Sequence, residues 1–548
     1  MPPTTHDLSE IERRLGFSTK SEDVQDYLQL LASTDAAIQD VLSMSDCTPL
    51  VDLQRFPRSD IHIPTDEDNP HQGWACKVTV NGTSEGILKG RKICLKDTIC
   101  LAKAPCHFGT AVIEDFVPDI DATVVTRILE KGGIIVGKAT CEDLSHGAAS
   151  FTSQNGPVQN PYAHGFSAGG SSSGCGALIG SGEVEMGVGG DQGGSIRIPA
   201  ALCGIVGLKP TFGLVPYTGV LSSEAALDHI GPMARTVPDT ALILQSIAGY
   251  DGIDDRQLGA PAPDNLPSYI AATTNLSPLN PLIGIKIGVL KEGFSSSYLA
   301  PDVETVVRAA IDRFTSLGAT VIDVSVPDHP KATSVMHVVN KLGSSQARLG
   351  RANSRRGLYI NDFLDKLLPW DQEKWDKVHS FVRGYIFDLS IEPDFSCLLL
   401  IRTAISGEYG FTKYPSAYGR AMNLVRKLKD DYDAVLRDVD VLVMPTVPVT
   451  ARRHAPPGAG PLVCAKTTAG LVDNTAVFNG TGHPALSIPV GFGSPGVQDI
   501  LHPEDEGIRL PVGMQIVGPW FQEEICLRVG AAWEAAWDWK AGDVKGSV

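Results

Sequence analysis

From Trp74 onward, apolar runs of strand length alternate with amphipathic stretches of helical period, and this alternation narrows the fold before any motif is considered. Val124, Val125, Ile128 and Leu129 share one helical face, Asp121 is placed to cap that helix, and Gly132 and Gly133 stop it just before the apolar run GIIVG. The unit recurs where residues 303–318, VETVVRAAIDRFTSLG, lead into ATVIDVSV. KICL before Lys96, EVEMGV at 183–188, IKIGVL at 285–290, DVLVMP at 440–445, ALSIPVG at 485–491 and GMQIVG at 513–518 supply further strands. Strands separated by helices predict an α/β fold with a mixed, largely parallel central sheet covered by helices.

The N-terminal 75 residues read differently. A helix starting after Ser21 carries Val24, Tyr27, Leu28, Leu31, Ile38, Val41 and Leu42 at helical spacing, and the polar stretch PTDEDNPHQGW at 64–74 reads as a linker. The expected organisation is a helical region at 1–75 serving packing or dimerisation, then a catalytic domain at 76–548. Within that domain 330–435, rich in charge and aromatics, is expected to be a mainly helical insertion shaping a substrate pocket. With 63 acidic against 46 basic residues and a net charge of -17, the chain lacks the basic face that nucleic acid requires. It holds no apolar run near the ~20 residues of a membrane span and no secretory leader pattern, so a cytoplasmic protein without a membrane partner is expected. Its 11 cysteines lack CxxC pairs and read as reduced, buried thiols, with no metal site implied.

The glycine-rich region between Ala168 and Ser195 invites several readings. No GxxxxGK[ST] is present, and the dinucleotide pattern beginning at Gly187 and Gly189 meets Gln192 where it needs a third glycine. Gly170, Ser172 and Gly174 match GxSxG, but the elbow needs a strand immediately before it and NPYAHGFSAG is a turn-rich loop. What survives is a strand running into Asp191, Gln192, Gly193, Gly194 and Ser195, where the glycines let successive N–H groups converge beside a serine. Upstream, Lys96 ends an apolar strand, where burial would lower its pKa and make it a base. His107, His146, His164, His229 and His483 fit no Ser-His-Asp order.

The run GGSSSGCGALIGSGEVEMGVGGDQGGSIRIPAALCGIVGLKPTFGLVP resembles the signature block of the amidase signature family, and LKDTI, GKAT, MPTVP, GHPALSIPVG and LPVGMQIVG resemble its other blocks. The resemblance runs from about residue 85 to the C-terminus. It implies a Ser-cisSer-Lys triad: Ser195 as nucleophile, Ser171 as the bridging serine after a cis peptide bond, and Lys96 as base. It implies an oxyanion hole from the N–H groups of Gln192, Gly193, Gly194 and Ser195, with Gly170, Ser172 and Asp191 in support; for Asp191, orienting the loop, meeting the substrate nitrogen and capping the following turn stay open. No cofactor or metal is implied.

Within the family, GGDQGGS, PTFGLVPYTG and DHIGPM look most like the broad-specificity amidases associated with nitrile hydratase and like urethanases, a subgroup that forms dimers. The expected activity is hydrolysis of small aliphatic or aromatic primary amides to acid and ammonia through an acyl-enzyme. The alternatives are a urethanase cleaving ethyl carbamate or related carbamates with the same triad, and a catalytically inactive binding relative. The acidic balance and lack of a membrane segment count against a fatty-amide hydrolase and against the amidating component of a tRNA amidotransferase. The expected assembly is a homodimer.

Overall fold

The computed structural model describes residues 2–113, 115–351, 355–383, 399–456 and 458–541, so residues 352–354 and 384–398 of the expected insertion lie outside the described residues. The chain divides into two compact units, Met1–Leu50 and Val51–Val548, a division that falls ahead of the 64–74 stretch. The first unit holds helices Thr5–Leu15 and Val24–Ser43. The second of these follows the expected apolar pattern, but none of its residues is buried.

In the second unit, twelve of the fourteen strands among the described residues form one mixed sheet. In chain order the strands are β1 Arg58–His62, β2 Trp74–Asn81, β3 Lys92–Lys96, β4 Ile134–Ala139, β5 Gln159–Asn160, β6 Ala163–Ser167 and β7 Met186–Asp191. Then come β8 Val206–Lys209, β9 His229–Ala234, β10 Lys286–Leu290, β11 Thr320–Val324, β12 Val441–Pro445, β13 Ala485–Gly493 and β14 Leu510–Val517. The sheet runs β1-β2-β4-β3-β7-β9-β8-β13-β14-β12-β10-β11, while β5 and β6 pair separately.

Parallel pairing is confined to β4-β3-β7 and to β12-β10-β11, and the other neighbours run antiparallel. The parallel part is therefore smaller than the helix-strand alternation suggested. Both βαβ units legible in the sequence are present in it, with helices Thr123–Glu130 and Pro301–Ser316 as crossovers. Asp121 does not cap the first of them. Ala122 holds the N-cap position, and Asp121 accepts the Ala102 N–H at 2.8 Å and pairs with Arg58 instead.

Helices cover both faces of β3. Ile93 and Leu95 belong to the core that includes helices Thr123–Glu130, Val237–Ile247 and Glu523–Ala536. Cys94, pointing the other way, packs with Cys175, Leu178 and Ile179 of helix Ser173–Gly180. By the same alternation Lys96 projects to the Cys94 side, the side on which the serine-rich segment lies.

Candidate active site

Strand β3 delivers Lys96 at its C-terminal end, and helix Ser173–Gly180 on that face brings the preceding Ser171 to it. Both side chains are fully buried. Lys96 Nζ is within hydrogen-bonding distance of three oxygens, Ser171 Oγ and Ser145 Oγ at 2.8 Å each and the Gly190 carbonyl at 3.2 Å. Burial pulls the Lys96 pKa below its ordinary value, and the nearby Cys141, Cys175, Asp191 and Glu142, which act in the other direction, do not offset it. The Gly170–Ser171 peptide bond is cis. Ser172 is tied to the neighbouring strand, donating to the Gly190 carbonyl at 3.0 Å and accepting the Gly190 N–H at 3.2 Å.

The separated sequence blocks meet here. Register pairs Lys96 with Ala139, so LKDTI lies against GKAT, and the buried Asp97 and Lys138 form an ion pair at 3.1 Å. The Gly174 N–H donates to the Thr140 carbonyl at 2.9 Å, and the Glu142 N–H to the Ser171 carbonyl at 3.2 Å. The GKAT strand thus holds the serine segment from below.

Strand β7, parallel to β3, ends at Asp191, so the DQGGS loop leaves the sheet at the same edge as Lys96. Of the readings left open for Asp191, the geometry matches capping of the following turn, which also orients the loop. Its carboxylate accepts the N–H groups of Gly194 at 2.6 Å and Ile196 at 3.1 Å, and pairs with the buried Arg197 at 3.0 Å. Burial pushes the Asp191 pKa up, but the Arg197 guanidinium and the hydrogen bonds outweigh it and hold the carboxyl below the usual range. Arg197 in turn donates to Gln515 Oε1 and the Thr475 carbonyl at 2.8 Å each and to Asn479 Oδ1 at 2.7 Å, which joins DQGGS to GMQIVG and to residues 475–479 just ahead of GHPAL.

Gly194 departs from its expected role because its N–H is taken by Asp191. What the position requires is glycine itself: φ is +135°, and a Cβ would stand 2.7 Å from Ile198 Cδ1. The N–H groups of Gln192, Gly193 and Ser195 have no protein acceptor among the described residues. Ser195 also differs from expectation. Among the described residues no hydrogen bond joins its hydroxyl to Ser171, and the two segments are linked instead by the Ser172 N–H donating to the Ser195 carbonyl at 3.3 Å.

Ser145, Gln192, Gly193 and Ser195 line a cavity of about 510 Å³, whose wall also includes Thr333, Met336, His337, Lys341 and Arg402 from within 330–435. That volume is in the range of sites that enclose a drug-sized ligand. Ser145 is the site residue that sequence reasoning missed. It lies in an irregular turn with Leu144 at φ +44° and Ser145 at φ +64°, and carries no motif.

A family model described as Amidase matches residues 74–527. An enantioselective amidase of Rhodococcus rhodochrous is 36% identical over 539 residues, 98% of this chain and 96% of that protein. A solved glutamyl-tRNA(Gln) amidotransferase chain from Thermotoga maritima superposes with TM-score 0.64 at 25% identity, over 85% of this chain and 87% of that one. The peptide amidase of Stenotrophomonas maltophilia superposes with TM-score 0.60 at 26% identity, over 82% and 83%. With fold, ordered blocks and whole-length similarity in agreement, this chain belongs to the amidase signature family, hydrolases of amide C–N bonds.

Proposed function

We propose that this protein hydrolyses small aliphatic or aromatic primary amides through a Ser195-Ser171-Lys96 triad. The observation that carries the reading is the buried Lys96–Ser171 hydrogen bond of 2.8 Å, joined through Ser145 to a cavity that Ser195 also lines. Substrate binding brings the Ser195 hydroxyl to Ser171, a contact of the kind that tightens in the Michaelis complex. Ser195 Oγ attacks the amide carbon and its proton passes to Ser171, whose own proton passes to Lys96 Nζ. The oxyanion accepts hydrogen bonds from the N–H groups of Gln192, Gly193 and Ser195, each such donor typically contributing ~100- to 1000-fold in rate. Return of the proton through Ser171 expels ammonia, and water cleaves the acyl-enzyme along the same path.

The 330–435 wall supports assigning substrate choice to that insertion, and the whole-length similarity to an enantioselective amidase supports a chiral acyl group. Ammonia release from acetamide, benzamide, a long-chain amide and ethyl carbamate tests the reading. Benzamide turnover that disappears in Ser195→Ala is expected. Turnover confined to ethyl carbamate replaces the amidase reading with the urethanase one, and activity retained in Ser195→Ala removes the nucleophile assignment.

A further inference from the structure

We propose that Ser145, backed by Gln192 and Tyr217, is a positioning residue that commits the Lys96 lone pair to Ser171. The inference rests on the triad reading above and concerns a side chain within hydrogen-bonding distance of both Lys96 and Ser171.

Ser145 Oγ stands 2.8 Å from Lys96 Nζ, 2.9 Å from Ser171 Oγ and 3.3 Å from Gln192 Oε1. Gln192 Nε2 donates to the Tyr217 hydroxyl at 2.9 Å, and that hydroxyl donates to the Leu221 carbonyl at 3.1 Å. The direction of this chain follows from donor and acceptor counting. A carbonyl only accepts, so the Tyr217 proton goes to Leu221 and its oxygen accepts from the Gln192 amide nitrogen. The Gln192 oxygen then faces Ser145 and also only accepts, so the Ser145 proton is committed to it. Ser145 Oγ is left to accept a Lys96 N–H, and the one Ser171 proton stays free for Nζ.

A neutral lysine has two N–H bonds and one lone pair, and Nζ here has three oxygen partners. The Gly190 carbonyl and Ser145 Oγ have no proton to give it, so they take the two N–H bonds. The lone pair is left for Ser171, the remaining partner with a free proton. Without Ser145 the amine can turn an N–H toward Ser171 and the proton transfer loses its direction. Buried Arg348 holds the turn that presents Ser145, donating to the Leu144 carbonyl and to Ser223 Oγ.

Steady-state kinetics of Ser145→Ala and Tyr217→Phe against pH test the proposal. For Ser145→Ala, kcat should fall about 10- to 100-fold with KM nearly unchanged, part of the full contribution of a positioned acid or base. The acidic limb of kcat/KM should also move to lower pH. The lost acceptor had favoured the ammonium form, while Asp191, Glu142, Cys141 and Cys175, the other groups acting on Nζ, are untouched. Tyr217→Phe frees the Gln192 amide to flip and should give a smaller fall with the limb displaced the same way. Wild-type kcat in Ser145→Ala, or a loss with the limb unmoved, overturns the proposal. Lys96→Ala separates the two readings: if it retains activity the triad itself fails, and if it is inactive while Ser145→Ala behaves as wild type, this inference alone fails.

Discussion

A lysine with its ordinary pKa near ~10.4 is almost wholly protonated at neutral pH and has no lone pair to offer, so the site depends on what burial does to Lys96. In the proposed triad the neutral amine is the active form, and its pKa is lowered by burial, so kcat/KM should rise with pH through a value below the ordinary lysine range and then level off. A pH profile of benzamide hydrolysis checks this, and Lys96→Arg, a fixed cation, should be inactive throughout it. Asp191 stabilises the site differently, because it neutralises a guanidinium that is itself fully buried. Asp191→Asn leaves Arg197 charged and unpaired, which should cost about 3–5 kcal/mol in denaturant unfolding. An unchanged unfolding midpoint would contradict that role. At this scale the proposed triad could be named from the sequence because LKD, GGSSSG and DQGGS are local strings whose order resembles a known block. Ser145 was not, since its place at Lys96 comes from a turn with two residues at positive φ, and neither Leu144 nor Ser145 is of a type that announces such a backbone. Gly194 was read as an N–H donor because sequence shows that a glycine loop can aim its amides but not which carboxylate already holds one.

The same division holds for elements. The two βαβ units were legible because amphipathic helix, glycine stop and apolar strand follow one another within a few dozen residues. The antiparallel strands between them were harder: β8 and β9, VGLK and HIGPMA, are short and carry glycine or proline, and what makes them strands is their neighbours in the sheet. The helix His329–Val338 belongs to the pocket wall through Met336, whose side chain is buried there. Met336→Trp should fill part of the cavity and separate substrates by size, with kcat/KM for benzamide falling about 10-fold or more while acetamide is nearly unaffected. A difference of about 1.4 kcal/mol in fit suffices for a tenfold effect. Parallel losses on both amides would point to a disturbed triad instead of a narrowed pocket.

For the whole molecule the open quantity is the number of chains that act together. On helix Val24–Ser43, Tyr27, Leu30, Ile38 and Val41 recur at helical spacing and all are exposed, Val41 to 65%. A stripe of this kind on a protein surface marks an interface, which supports the expected homodimer through the first unit. Lys96, Ser145, Ser171 and Ser195 all lie in the second unit of one chain, so assembly supplies none of the groups argued to do chemistry. Association and catalysis should therefore come apart. Light scattering should give the protein a mass twice 58.3 kDa, and Leu30→Glu with Val41→Glu should reduce it to the single-chain value. Because the site is complete within the chain, kcat on benzamide should survive that change. A monomeric wild type removes the dimer, whereas a dissociated variant that has lost kcat shows that the second copy supports the pocket from outside the residues identified above.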